Sequence, residues 1–439
     1  MKTEVLESVL SKSKSEIVHI ITDPFRVPDG WELSTLGDIS LKIIGGGTPS
    51  RRNPDYWGSE IPWVTVKDFA TFHENGAQEY ITHIGLKGSS SNIIPKGNLI
   101  TSTRMSLGKA VIYNVDVAIN QDMKAFILDK NCSSRYLYYW FQSNGKRIEE
   151  LGSGSTVMGI SLTDLRKITI FLPPTKEQAA IATALSDADA LIRSLEQLIE
   201  KKKKIKQGAM QELLTGKRRL QGFENNLGYK HTGAGLIPED WAVDELGTIG
   251  QFKNGINKSN DDFGFGYPFV NLMDVFGKTR ILKSEEFGLI NTNIIERKLY
   301  NLVKSDVVFI RSSVKPSGVG LTCLIEDDLM NTVFSGFIIR FRDNGNLVHE
   351  FKEYCFYNER FRNAIISNST SSANTNINQE ALKKIYLAYP TNKLEQLAIS
   401  RVLNSMDEEL TQLRVKLEKY MQIKQSMMQN LLTGKIRLI

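Results

Sequence analysis

Leu213-Leu214-Thr215-Gly216-Lys217-Arg218-Arg219-Leu220 returns at the end of the chain as Leu431-Leu432-Thr433-Gly434-Lys435-Ile436-Arg437-Leu438. Each octapeptide closes one copy of a helical module, residues 177–220 and 395–438, and the copies align without gaps at an offset of 218 positions. Glu177-Gln178 meets Glu395-Gln396, and Ile205-Lys206-Gln207 meets Ile423-Lys424-Gln425. In the first copy Ile181, Leu185, Ala188, Ile192, Leu195 and Ile199 step alternately by four and three residues, the a/d seam of a coiled coil. Ile399, Leu403, Met406, Leu410, Leu413 and Leu417 repeat it. Lys202 and Tyr420 then interrupt the seam, and apolar positions resume at Ile205 and Ile423, which reads as a stutter common to both copies. Pro173-Pro174-Thr175 and Pro390-Thr391-Asn392 are start signals, and Gly216 and Gly434 are stops. At 1.5 Å per residue each module predicts a helix of roughly 60 Å.

Working outward, a weaker repeat joins the segments that precede the helices. Asp29-Gly30-Trp31 with Leu36-Gly37 matches Glu239-Asp240-Trp241 with Leu246-Gly247. Ile61-Pro62-Trp63-Val64 with Asp68 matches Tyr267-Pro268-Phe269-Val270 with Asp274, and Gly159-Ile160 matches Asn376-Ile377. Short apolar runs such as Leu99–Ser102 and Val307–Ile310, broken by Gly, Pro and Asn, read as strands, and Ser134–Gln142 and Phe351–Phe361 as helices. The expected architecture is α+β: two globular domains separated by two long antiparallel helices that form a coiled coil, with pseudo-twofold symmetry. The expected divisions are an N-terminal extension at 1–26, a first domain at 27–172, a central helix at 173–219, a second domain at 220–388 and a C-terminal helix at 389–439.

Composition limits the function. A chain of 439 residues exceeds one hydrophobic core. No uncharged apolar run reaches the roughly 18 residues that span a bilayer, and the polar start is no secretory signal, so a cytoplasmic protein is expected. Cys132, Cys323 and Cys355 lack CxxC spacing and the five histidines lack ligand spacing, so no metal is expected. The net charge of +6 sits in the helices. Residues 176–219 hold ten Lys/Arg against six Asp/Glu and residues 393–438 eight against five, leaving the rest near −1. The Lys201–Lys204 run reads as a solvated helix face, since its counterpart Lys419-Tyr420-Met421-Gln422 is not basic. Any nucleic-acid surface on the domains must then be a local patch.

Loops supply such patches. Gly45 to Trp57 combines flexible backbone with Thr48, Ser50, Arg51, Arg52 and Tyr56, and Lys67 follows. Its counterpart carries Lys253, Asn254, Asn257 and Lys258. Two strand-like runs each end near an arginine, with Ser102, Arg104 and Lys109 in the first domain and Arg311, Ser312 and Lys315 in the second. Arginine binds guanine or phosphate in two-pronged fashion, and hydroxyl and amide groups suit base edges, so these sixteen residues are the candidate DNA contacts. The plainer reading is ordinary surface loops with Tyr56 and Trp57 packed on the domain. Matching basic loops in two diverged domains favour DNA.

The segment GGGTPSRRNPDYWGSEIPWVTVKD (45–68), the run PKGNLITSTR (95–104), the paired Glu-Gln helix starts and the two LLTGKxRL endings resemble the specificity subunit of a type I restriction-modification system. The resemblance covers nearly the whole chain. It implies two target recognition domains, each reading one half of a split DNA site, and two helices that set the spacing and dock partners. Those partners are double-stranded DNA, methyltransferase subunits, two of them expected, and a restriction motor-nuclease where one exists. S-adenosylmethionine, ATP and magnesium are expected only in the partners.

Catalytic motifs are missing. Asn53-Pro54-Asp55-Tyr56 is only superficially like the Asn-Pro-Pro-Tyr of adenine methyltransferases: its third position is Asp, and no glycine-rich cofactor loop precedes it. Gly216-Lys217 and Gly277-Lys278-Thr279 lack the upstream glycine of an ATP-binding loop, and Phe263-Gly264-Phe265-Gly266 is no cofactor loop. The competing expectation is a coiled-coil interaction protein whose two heads bind other proteins.

Overall fold

The computed structural model describes residues 27–152, 159–224, 228–371 and 374–438. The expected N-terminal extension, 1–26, lies outside the described residues. The chain divides into two compact units, one of residues 1–196 with 416–439 and one of residues 197–415. Each unit therefore combines a head with the near halves of both long helices.

In the first unit β1 (Glu32–Thr35) pairs antiparallel with β10 (Thr169–Leu172) at the base of the helix. One four-stranded sheet runs β2 (Ser40–Gly45), β9 (Met123–Leu128), β6 (Leu99–Ser102), β7 (Ala110–Ile112). A second runs β4 (Glu79–Ile81), β3 (Trp57–Val64), β8 (Val117–Ile119), β5 (Asn92–Ile94), with β3 and β8 parallel. The helices are α1 (His83–Lys87), α2 (Ser134–Glu150), α3 (Leu162–Arg166) and the long α4 (Thr175–Leu213). Tyr136, Trp140 and Phe141 of α2 are buried with Phe126, Ile170, Ile181, Leu185 and Leu431-Leu432. The core thus takes in the start of one long helix and the end of the other, which run antiparallel here.

The second unit repeats the plan. A hairpin of β11 (Tyr229–Thr232) and β12 (Gly235–Pro238) precedes β13 (Trp241–Glu245), which pairs with β25 (Tyr386–Pro390). A five-stranded sheet runs β14 (Gly250–Asn254), β22 (Ile338–Asp343), β18 (Val307–Ile310), β20 (Thr322–Ile325), β16 (Arg280–Ile281). A three-stranded sheet runs β17 (Gly288–Ile290), β15 (Phe263–Val270), β21 (Val333–Phe334), again with one parallel pair, β15 and β21. β19 (Ser312–Ser313) and β23 (Thr370–Ser371) flank β24 (Thr375–Asn376). Helices α5 (Leu246–Ile249), α6 (Leu272–Val275), α7 (Ile294–Leu299), α8 (Glu359–Ser367) and α9 (Gln379–Lys383) lead to the long α10 (Lys393–Leu431). α4 and α10 have 39 residues each, about 58 Å of helix.

The repeated signature has a physical cause. In each unit the arginine of one LLTGKxRL ending closes on the glutamate at the start of the other helix. Arg437 Nε and Nη2 donate to Glu177 at 2.7 and 2.8 Å, and Trp31 Nε1 donates to the same carboxylate at 2.9 Å. Arg219 Nε and Nη2 donate to Glu395 at 2.5 and 2.8 Å, and Arg219 also holds Asp240. The glutamine beside each glutamate ties the helix start to the head. Gln178 Nε2 donates to Asn131 O and Pro173 O and its Oε1 accepts from Ser133 N; Gln396 does the same with Asn346 O, Pro390 O and Val348 N.

A second pair of contacts recurs along the seam. Tyr139 Oη donates to Asp189 at 2.8 Å while Lys424 pairs with it at 2.6 Å; Tyr354 Oη donates to Asp407 at 2.8 Å while Lys206 pairs with it at 2.5 Å. This corrects the seam read from sequence. Ile205 and Ile423 are exposed, and the seam resumes one position later at Lys206 and Lys424, which bury their stems and tie their ammonium groups to an aspartate. Within the Lys201–Lys204 run, Lys202 pairs with Glu409 and Lys203 with Glu200 on a largely solvated face.

Candidate nucleic-acid interface

Three segments converge in each head, held by the same backbone hydrogen bonds. In the first, Gly47 N donates to Ile119 O, Asn120 N to Val64 O, Thr103 N to Asp122 O, and Ile160 N to Thr103 O. In the second, Ile256 N donates to Phe334 O, Ser335 N to Val270 O, Arg311 N to Phe337 O, and Ile377 N to Arg311 O. The loop after β2, the turn after β8 and the turn after β6 thus correspond to the loop after β14, the turn after β21 and the turn after β18. The glycines of the first loop are required by close approach. A Cβ on Gly46 would lie 1.8 Å from Ile119 O, and one on Gly255 2.1 Å from Ser335 O.

On this common backbone the side chains differ. In the first head Thr48 Oγ1 donates to Gln121 Oε1 at 2.6 Å, and Arg104 lies 3.9 Å from Asp122. Arg51 forms a two-pronged pair with Glu79 at 2.5 and 2.8 Å and stacks 3.7 Å from the Trp57 ring centroid. That guanidinium holds the Glu79 carboxyl below its usual range. Exposed Arg52 has no ion pair among the described residues, exposed Lys67 adds to the field at Glu79, and Ser50 is exposed with its carbonyl accepting from Trp57 Nε1. The Tyr56 ring is half-buried against Gly88.

Two candidates fall elsewhere. Ser102 is buried, its hydroxyl donating to Arg104 O, so it shapes the turn from beneath. Lys109, at the far end of the turn after β6, lines an open cleft of about 700 Å³ with Gln142, Lys146, Asp189 and Lys424 beside the helices.

In the second head Asn257 lies against Gly336, whose carbonyl accepts from Arg311 Nη1 at 3.2 Å. Lys258 pairs with Glu296 at 2.7 Å, Lys253 Nζ sits 5.4 Å from the Tyr300 ring centroid, and Asn254 is half-buried beside Gln379. Ser312 pairs with Asn376 in β19–β24, and Lys315 is exposed at the following turn. The arginines of the two strand-like runs are not equivalent. Arg311 occupies the position of Thr103, and Ser312 that of Arg104, because Gly159 bridges Arg104 as Asn376 pairs with Ser312.

Sequence reading missed Gln121, Asp122, Gly336 and Phe337, which follow strands of only three and two residues and carry no motif. It also missed Arg297, stacked 3.7 Å from the Tyr267 ring centroid as Arg51 stacks on Trp57. Among the described residues no group of His, Cys, Asp or Glu could hold a metal, and no helix is long and apolar enough to cross a membrane. Burial pushes the Cys132 and Cys323 thiols up to about 12, as expected of core residues.

Two repeated α+β heads, each presenting polar and basic side chains on one shared three-segment frame, define a reader of nucleic acid. The profile of the type I restriction modification DNA specificity domain matches the chain twice, over residues 28–207 and 238–419, and the chain belongs to this family. The type I restriction enzyme MjaIX specificity subunit of Methanocaldococcus jannaschii is 28% identical over 311 residues, covering 68% of this chain and 71% of that one. The fold is shared with the type I restriction-modification S subunit from M. genitalium, with a TM-score of 0.52 at 17% identity over 91% of this chain and 96% of that one. A chain from a type I system, solved in work on its complex assembly and conformational transition, gives a TM-score of 0.59 at 13% identity over 93% of this chain and 99% of that one. The protein is therefore a specificity subunit, a DNA sequence-recognition chain whose catalytic activities lie in partner subunits.

Proposed function

We propose that the heads, taken as residues 27–172 and 220–388, each read one half of an asymmetric bipartite DNA site, with the long helices setting the spacer and docking two methyltransferase subunits. The observation that carries this reading is the three-segment frame: its backbone is duplicated, while Gln121, Asp122 and Arg104 in one head correspond to Gly336, Phe337 and Ser312 in the other. Duplicated backbone with different chemistry is what two different half-sites require.

Arg52, Lys67 and Lys315 are the phosphate contacts of this reading, and Thr48, Gln121, Arg104, Asn257 and Arg311 the groups nearest base edges. Arg51 reaches DNA only by exchanging Glu79 for a phosphate or guanine. S-adenosylmethionine, and ATP with magnesium where a motor-nuclease joins, bind the partners, and the complex works in the cytoplasm where the DNA is.

Nuclease footprinting of the full chain with its methyltransferase partner tests this. Two protected blocks separated by an unprotected gap are expected. One continuous block, or none, overturns it.

A further inference from the structure

The frame of the second head carries an aromatic ring where that of the first carries a carboxylate. Phe337 is 56% exposed at the position Asp122 holds in the first head, so the fold does not need an aromatic ring there. Val314, on the turn between β19 and β20, is 81% exposed, the most exposed large apolar side chain among the described residues. Phe276 is 50% exposed, and its Cε2 lies 3.4 Å from where a Cβ on Gly318 would stand, which sets the ring against the same turn. Its counterpart after β3 is Ala70. Arg311 anchors the group, its N–H on Phe337 O at 2.9 Å and its guanidinium on Gly336 O. Exposed apolar groups gathered on one functional edge call for a ligand with apolar surface.

Duplex DNA offers one such group with sequence meaning. The C5-methyl of thymine is the only methyl that unmodified bases present in the major groove, and phenylalanine and other apolar side chains contact it. We propose that the second head recognises thymine through this methyl, held between Phe337 and Val314 beside Arg311, so that its half-site contains an A·T pair read by apolar contact. The inference rests on each head reading its own half-site.

The test begins with the full chain selecting from a random duplex library, and with Phe337→Ser selecting from the same library to mark the half-site that this head reads. Each thymine of the selected duplex is then replaced in turn by deoxyuridine, which removes only the methyl and leaves the protein untouched. A loss of affinity of about fourfold is expected at one or two thymines of that half-site, the worth of one buried methyl group. Phe337→Ser and Val314→Ser should bind the thymine and uracil duplexes equally. Uracil that is neutral throughout that half-site overturns the proposal even though two half-sites are read. A library that yields no enriched sequence overturns the half-site reading, and this one with it.

Discussion

The clasp between Arg219 and Glu395 shows how much one residue can decide. The two side chains are only 10% and 2% exposed, and burial pushes the Glu395 carboxyl up against the pull of Arg219. Arg219→Ala would leave that carboxylate buried and unpaired, at a cost of about 3–5 kcal/mol. Because the folded pKa lies above the unfolded value of about 4.3, the neutral acid favours the folded chain. The penalty should be full at pH 7 and shrink as the pH falls through the raised pKa, which urea unfolding of mutant and wild type at pH 7 and pH 5 would measure. A gap that does not change with pH would mean that Glu395 is not the group responsible. In the other copy the Arg437 guanidinium holds Glu177 below its usual range, so that clasp contributes fully above about pH 4.3 and is lost as the pH falls through the lowered value. At this scale the repeat was legible in the sequence as matching letters. That the arginine of one copy answers the glutamate of the other was not, because alignment pairs like with like while the contact joins unlike positions.

Among the elements, the long helices end as their sequence foretold. Gly216 and Gly434 both take φ +67°, and a Cβ on either would stand 2.4 Å from a proline Cγ, that of Pro238 or of Pro28. A left-handed L-residue costs about 1–2 kcal/mol before any clash. For units of this size Gly216→Ala and Gly434→Ala should each lower Tm by about 3–6 °C. Calorimetry should place the Gly216 effect in the unit of residues 197–415 and the Gly434 effect in the other; an unchanged Tm would remove the left-handed stop from the account. The helix starts, stops and lengths were legible because capping residues and apolar periodicity are local. The seam beyond Lys202 was not, because Lys206 and Lys424 fill it as apolar stems with a paired charge, which a hydrophobic pattern scores as polar. The three-segment frame was legible only in part. Its first loop is rich in glycine and basic residues, but the other two segments are turns after short strands, and the turn between β18 and β20 is longer than that between β6 and β7, which hides the equivalence of Thr103 and Arg311.

For the whole molecule, the test is whether the heads act independently. Each head has its own buried clusters, with Tyr136, Trp140 and Phe141 central to one and Phe309, Phe341 and Phe356 to the other. The second head meets its helices through a core shared with Leu213, Leu214, Ile399 and Leu403 and through polar contacts that include Asp240 on Arg219, Tyr354 on Asp407, Arg280 on Asn404, and the Val348 N–H on Gln396. Replacing residues 220–388 with a diverged head that keeps Asp240, Trp241, Tyr354 and the apolar residues packed on the helices should therefore fold and dock. Its base contacts would change while Thr48, Gln121 and Arg104 of the first head stay as they are. Mapping methylated adenines in cells that carry the chimaera should show one half-site replaced and the other retained. If both halves changed, the heads would be reading DNA jointly, and the likeness of their frames would reflect common descent without modular function. If the chimaera folded but methylated nothing, the contacts named above would be too few to seat a head, and the first correction would be to graft Arg280 and Glu353, whose ion pair braces the sheet near α10.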